Sequence, residues 1–255
     1  MKSTMNDAAN FSAKSMRLLI FVLASNEEHQ LEQTVRGLQE ECSPAHVAGI
    51  MLFLAPKATE GCLRTAAALE ASDAPIPVEI VRESFGNALY TTQEVLRTRK
   101  NITHALFLAS DYFLETSQIV GMIERAAHDL DHIYKFSRVL PGGRFQPGYP
   151  AGAIPLYRLF CAFVRILYGV KVTDPVFFVL IAPVQLFQLE CREPSILAGT
   201  ELLFLLLRAK APIAEVPAYH LPRTEKKGST NLAFRLRYVK IALRTRFAKK
   251  QTFEF

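Results

Sequence analysis

Asn26, Glu27 and Glu28 stand directly behind the apolar run Leu18 to Ala24, an amide and two carboxylates where a strand would end. Such groups can read the base and ribose of a nucleotide; they also suit a helix start, where acids meet the positive end of the helix dipole. Gly86-Asn87-Ala88 opens a later helical stretch, where a missing side chain lets a sugar or phosphate reach backbone amides, though a single glycine is equally an ordinary turn. Asp111 closes a second apolar run, LFLASD. There it can hold a hard divalent cation, Mg²⁺ or Mn²⁺, that bridges a diphosphate, or it can cap the next helix. Arg138, Arg144 and the segment Arg223, Lys226, Lys227, Gly228, Ser229 offer guanidinium forks and a glycine-containing basic loop suited to phosphate oxygens. A charge run is also a common solvated face. His220, set among prolines, reads as structural rather than as a base.

These residues are far apart in sequence, so the elements between them must bring them together. Strand signals fall at 18–24, 49–54, 78–82, 105–109 and 132–136. The first, Leu18 to Ala24, is a short continuous apolar run, as expected of a strand covered on both faces. Helical spacing fills the gaps at 28–38, 60–70, 86–99 and 117–128. This alternation predicts crossover units and a doubly wound α/β sheet, whose ligands bind beyond the carboxyl ends of the strands. That rule gathers 26–28, 55–59, 84–87 and Asp111 around one crevice. Beyond residue 138 a loop rich in Pro and Gly leads to an aromatic helix at 156–168, an apolar helix at 201–209, a strand at 213–217 and a basic helix at 232–247. The apolar stretch 175–189 is broken by Pro183 and Gln185 and is too short to span a bilayer.

Half of the 255 residues are apolar and 21% are charged, which excludes a disordered chain. The net charge of +6 points to anionic partners, and the stretch 235–250 carries seven Lys and Arg with no acid. With the aromatic helix, that basic helix suits an anionic membrane surface. Nucleic acid is the competing partner, but aromatic interleaving is poor and no nucleic-acid motif is present. The four scattered cysteines read as reduced packing residues in a cytoplasmic protein, and no secretory signal is expected.

Together the motifs resemble family 2 glycosyltransferases of GT-A fold, nearest to the dolichyl- and polyprenyl-phosphate sugar synthases. The stretches LLIFVLASNEEHQLEQTVRGL (18–38), YKFSRVLPGGRFQPGYP (134–150), GVKVTDP (169–175) and ELLFLLLRAKAPIAEVPAYHLPRTEKKGSTN (201–231) carry the resemblance, in the family's order. It implies a doubly wound mixed sheet of GT-A type with C-terminal amphipathic helices, divided as a variable N-terminus at 1–16, a transferase domain at 17–231 and a basic helix at 232–255. It implies sugar transfer from a nucleotide-diphosphate donor to polyprenyl phosphate or another membrane-proximal acceptor. Asn26, Glu27, Glu28, Gly86 and Asn87 would then hold the donor. Asp111 would hold the cation and act in catalysis with Arg138 and Arg223. Arg144, Lys227 and Ser229 would hold the acceptor phosphate. The chain departs from the family in four places: Ala55-Pro56-Lys57-Ala58 for an acidic segment, Ala109-Ser110-Asp111 for Asp-x-Asp, Ser84-Phe85-Gly86 for a Gly-Lys-Gly loop, and Val176-Phe177-Phe178-Val179 for a polar acceptor loop. The departures keep a second expectation open: an inactive homologue that binds or regulates a partner in glycan assembly.

Overall fold

The computed structural model describes residues 15–84, 86–109, 114–145, 151–195, 197–219 and 232–248, with backbone alone at 109 and 232–235. The first half alternates strands and helices: β1 (Leu18–Ala24), α1 (Glu28–Glu41), β2 (Val47–Leu54), α2 (Glu60–Glu70), β3 (Val78–Arg82), α3 (Ala88–Thr98), β4 (His104–Ala109), α4 (Thr116–His128) and β5 (Ile133–Ser137). The second half adds α5 (Ala153–Tyr168), β6 (Leu180–Pro183), α6 (Val184–Phe187), α7 (Ala198–Arg208), β7 (Ile213–Pro217) and α8 (Leu232–Phe247).

One seven-stranded sheet runs in the order β3-β2-β1-β4-β6-β5-β7. Only β6 is antiparallel to its neighbours β4 and β5; the other pairings are parallel. The continuous apolar run of β1 follows from this. Leu18, Ile20 and Val22 enter a core under α1, α2 and α4, while Leu19, Phe21 and Leu23 enter a second core with α3, α5, α7 and α8. Successive side chains point to opposite faces, so a strand covered on both sides has no polar position.

β6 was not expected from the sequence. It lies inside the apolar stretch 175–189, where a four-residue strand leaves no alternation to detect. In the fold, Phe177, Val179 and Ile181 enter the first core, and Phe178, Leu180 and Ala182 enter the second. Val176–Val179, expected as a substitute for a polar loop, is therefore core leading into β6. The aromatic helix starts at Ala153, earlier than its spacing suggests, because Pro155 sits in the first turn, where an amide would lack an intrahelical partner anyway. The four cysteines are buried thiols, and among the described residues no helix is long and apolar enough to cross a membrane.

Candidate functional site

The carboxyl edge of the sheet collects the ends of β1, β2, β3, β4, β5 and β7, and the reversed β6 begins there. Behind β1, Glu27 turns back on its own loop and accepts from the amides of Ser25 at 3.0 Å and Asn26 at 3.1 Å. Its carboxylate thus shapes the turn that leaves Asn26 exposed. Glu28, also exposed, lies against Gly61 in the first turn of α2, so closely that a methyl group at Gly61 would overlap its carboxylate. The positive end of α2 favours an acid there. Behind β3, Glu83 accepts from the amide of Ser84 at 2.7 Å and from Asn87 Nδ2 at 3.2 Å. The Ser84 amide bond does most to hold the Glu83 carboxyl below its ordinary value. Gly86 owes its identity to close approach: a Cβ there would stand 3.1 Å from the carbonyl of Pro194.

A cavity of about 480 Å³ opens beside α3, but its lining sets Glu83, Glu94 and Glu190 against the single guanidinium of Arg97. Three carboxylates against one guanidinium disfavour a diphosphate. The described cationic groups Arg138 and Arg144 stand instead beyond β5.

There the chain builds a buried polar hub around Asp174, which is fully shielded from solvent. Asp174 Oδ2 accepts from the Arg138 amide and from Arg138 Nε, each at 3.1 Å. Oδ1 accepts from the Phe177 amide at 3.2 Å and from the Tyr157 hydroxyl, which in turn accepts from Arg138. Lys135, a cation inside the β5 core, donates to the carbonyls of Phe136 at 2.8 Å and Asp174. Glu215 on β7 closes the hub by accepting from the amides of Thr173 at 2.6 Å and Asp174 at 3.0 Å. Burial alone would raise the Asp174 carboxyl; Arg138, Lys135 and the hydrogen bonds from Tyr157 and Arg138 outweigh it and hold the group below its ordinary value. Burial likewise lowers the Lys135 ammonium and raises the Tyr157 hydroxyl well above its usual range.

The Arg138 guanidinium is packed among the rings of Phe177, Tyr157 and Phe145, at 4.3, 4.7 and 5.5 Å, and its side chain is only 14% exposed. Arg144, by contrast, is exposed. Its amide donates to Ala218 at 2.7 Å and its guanidinium lies 5.6 Å from the ring of the exposed Tyr219. Gly143 permits this turn: a Cβ there would stand 2.5 Å from the Ser137 carbonyl.

No family model matches the chain, and a search of the curated proteins finds no match. Solved structures do match. Glucosyl-3-phosphoglycerate synthase from Mycobacterium tuberculosis, in complex with UDP, superposes with a TM-score of 0.64 at 17% identity, covering 92% of this chain and 81% of that one. The same enzyme with Mn²⁺, UDP-glucose and phosphoglyceric acid gives 0.63 at 17% identity, over 92% and 80% of the two chains. Its complex with Mg²⁺ and UDP gives 0.64 at 16% identity, over 92% and 80%. The fold is GT-A.

At such identity the likeness is one of fold, and function has to be argued from residues. In this GT-A frame, Asn26, Glu27, Glu28 and Asn87 gather at the carboxyl edge on the β1–β3 side, and Arg138 and Arg144 at the same edge on the β5–β7 side. Asp111, Arg223, Lys227 and Ser229 lie outside the described residues, as does His220. Sequence reasoning overlooked Lys135, Tyr157 and Glu215, and it treated Asp174 only as part of the stretch GVKVTDP. Lys135 left a signal, a lone cation within the strand IYKFS; Tyr157 is one aromatic among many in α5 and left none.

Proposed function

We propose that the chain is a glycosyltransferase that moves a sugar from a nucleotide-diphosphate donor to a phosphate-bearing acceptor. The observation that carries this reading is the division of one carboxyl edge into two chemistries. Loops rich in amide and carboxylate follow β1 and β3, and guanidinium groups follow β5. An acceptor phosphate is already an anion and needs no general base. The protein's part is to align the reactants and to set cations against charge that develops on the departing diphosphate. The solved structures of like fold hold UDP-glucose beside phosphoglyceric acid, a phosphorylated acceptor, which supports the same pairing here. The acceptor we assign is a lipid phosphate such as polyprenyl phosphate, used by a cytoplasmic protein that meets an anionic membrane peripherally. Residues 17–231 form the transferase unit in this reading, with 232–255 as its membrane-facing helix.

Among the described residues no group of three or more His, Cys, Asp or Glu could hold a metal ion. A cation shared with the ligand would need few protein groups, since Mg²⁺ is commonly held by one or two carboxylates plus substrate phosphates. Asp111, beyond the end of β4, would be that carboxylate, and a cation there would neutralise the diphosphate.

The test is calorimetry of the chain against UDP-, GDP- and CMP-linked sugars with and without Mn²⁺. Binding should require the metal for one donor, and Asp111→Ala should abolish that requirement. A second reading, an inactive homologue serving as a binding or regulatory partner in glycan assembly, is favoured by Ala55-Pro56-Lys57-Ala58, which puts no acid behind β2 to read a base. Heats absent for every donor would establish the second reading over the first.

A further inference from the structure

Six of the seven large hydrophobic side chains exposed among the described residues lie on two helices. On α5, Leu156, Leu159 and Ile166 are 50%, 66% and 82% exposed, at spacings that place them on one face. On α8, Leu236, Leu243 and Phe247 are 58%, 39% and 75% exposed, again on one face. Single exposed apolar residues are ordinary, but a concentration of this kind marks an interaction surface. The helices adjoin: the rings of Phe160 and Tyr238 meet at 6.3 Å, Tyr168 donates to the Ala242 carbonyl at 2.8 Å, and Arg246 Nε donates to Leu167 at 2.9 Å. Each is seated by an opposite face, through Cys161, Val164 and Tyr168 on α5 and Ile241, Ala242 and Thr245 on α8.

Charge selects the partner. The two helices carry seven Arg and Lys and no Asp or Glu. Two of the seven anchor α8 to the body. Arg237 donates to the buried Glu193 at 2.5 Å, and Arg244 to the buried Glu201 at 2.9 Å. Arg158, Arg165, Lys240 and Arg246 are exposed. A second copy laid on the same face would bring like charges together. A nucleic acid would match the charge and leave the leucines in water.

We propose that the adjoining outer faces of α5 and α8 dock the protein on an acidic lipid bilayer, with the leucines and Ile166 entering the headgroup boundary and the arginines meeting lipid phosphates. Apolar burial plus basic charge is how interfacial helices bind without crossing. The proposal deepens, and rests on, the reading of a membrane-carried acceptor, because it supplies the surface that brings such a phosphate to the carboxyl edge.

The experiment is co-sedimentation of the full chain with phosphatidylcholine vesicles, plain or containing about 30% phosphatidylserine, at low and high salt. The chain should bind the acidic vesicles, bind the neutral ones weakly, and release in part with salt. Leu159→Ser with Ile166→Ser should lower partitioning at least about tenfold, and Arg158→Gln or Arg165→Gln about fivefold each. All of these variants should keep the wild-type circular dichroism and donor-binding heats, because the substituted residues are exposed and make none of the contacts of the Asp174 hub. Equal binding to neutral and acidic vesicles, or full binding by the double serine variant, overturns the proposal. So does light scattering that shows a dimer which those serines break. Vesicle binding without any donor heat would refute the transferase reading and leave the docking face standing.

Discussion

Asp174 gives the sharpest test of how the site is built. Asp174→Ala removes one oxygen pair that serves the Arg138 amide and Nε, the Phe177 amide and the Tyr157 hydroxyl, and it deprives the buried Lys135 of its nearest anion. Breaking a buried ion pair from one side costs about 3–5 kcal/mol, because the partner charge stays buried without compensation. Against a total stability of about 5–15 kcal/mol, that is a large fraction. Asp174→Asn keeps one acceptor oxygen and loses the charge, so its cost should be roughly 2–3 kcal/mol. Urea unfolding followed by circular dichroism reads both. With a slope near 3 kcal/mol per M for a chain of this size, the alanine variant should unfold roughly 1–1.7 M earlier. The sign of the pH dependence is set by the lowered Asp174 carboxyl. A group whose folded value lies below its unfolded value of about 3.9 contributes fully above that pH, and its contribution is lost as pH falls toward the folded value. The gap between wild type and Asp174→Asn should therefore be constant from neutral pH down to about 5 and shrink below about 4. An alanine variant that shifts by less than about 0.3 M, or an asparagine gap that stays unchanged in acid, would refute the account of the hub.

Two further outcomes follow from packing. Gly199→Ala would drive a methyl group into the ring of the buried Phe178, with a cost of about 1–3 kcal/mol. The melting temperature should fall about 2–4 °C for each kcal/mol, and an unchanged melt would mean that β6 and α7 are less tightly joined than they stand here. Glu201→Ala removes the acceptor for the amides of Arg192 and Glu193, each at 2.7 Å, and for Arg244. The loss of roughly 3 kcal/mol should speed tryptic cleavage within α8 about a hundredfold; wild-type rates would show that α8 is held by its apolar contacts alone.

How much could be read in advance depended on how each residue announces itself. β3, β5 and β7, which carry charged residues, were read from their place in the alternation. β1, β2 and β4 were legible because strands covered on both faces have to be short, continuous and apolar, and Leu18–Ala24 is that pattern undiluted. β6 was illegible for the same reason: its apolar neighbours on either side erase its ends. Position at a strand's carboxyl end was enough to nominate Asn26, Glu27 and Glu28 from the alternation, whereas Arg138 was nominated by its guanidinium. Their partners were another matter. That Glu28 would lie on Gly61, or that Arg138 would be bound by Asp174 and Tyr157, depends on contacts between segments tens of residues apart, and no local spacing encodes them.

The reversed strand also explains why the apolar segment 176–179 does not close the site. Because β6 runs against β4 and β5, its amino end arrives at the carboxyl edge, between the strand followed by Asp111 and the strand followed by Arg138. The chain reaches that point through Thr173 and Asp174, whose amides are tied to Glu215, and then drops Phe177 and Phe178 into opposite cores. What remains at the edge is the Asp174 hub, which fixes the Arg138 backbone and guanidinium. Neighbouring strand axes lie about 4.8 Å apart, so inserting β6 sets the ends of β4 and β5 about 10 Å apart. In the proposed transferase reading, that interval would let one sugar diphosphate reach from a cation held after β4 to the guanidinium that follows β5. Polar residues at 176–179 would have been needed only if that segment lined the gap. Since it is core, the proposed transferase reading would assign the acceptor contacts to Arg144 and to the basic sequence at 223–229, and substitutions there should change acceptor use while leaving the Asp174 hub intact.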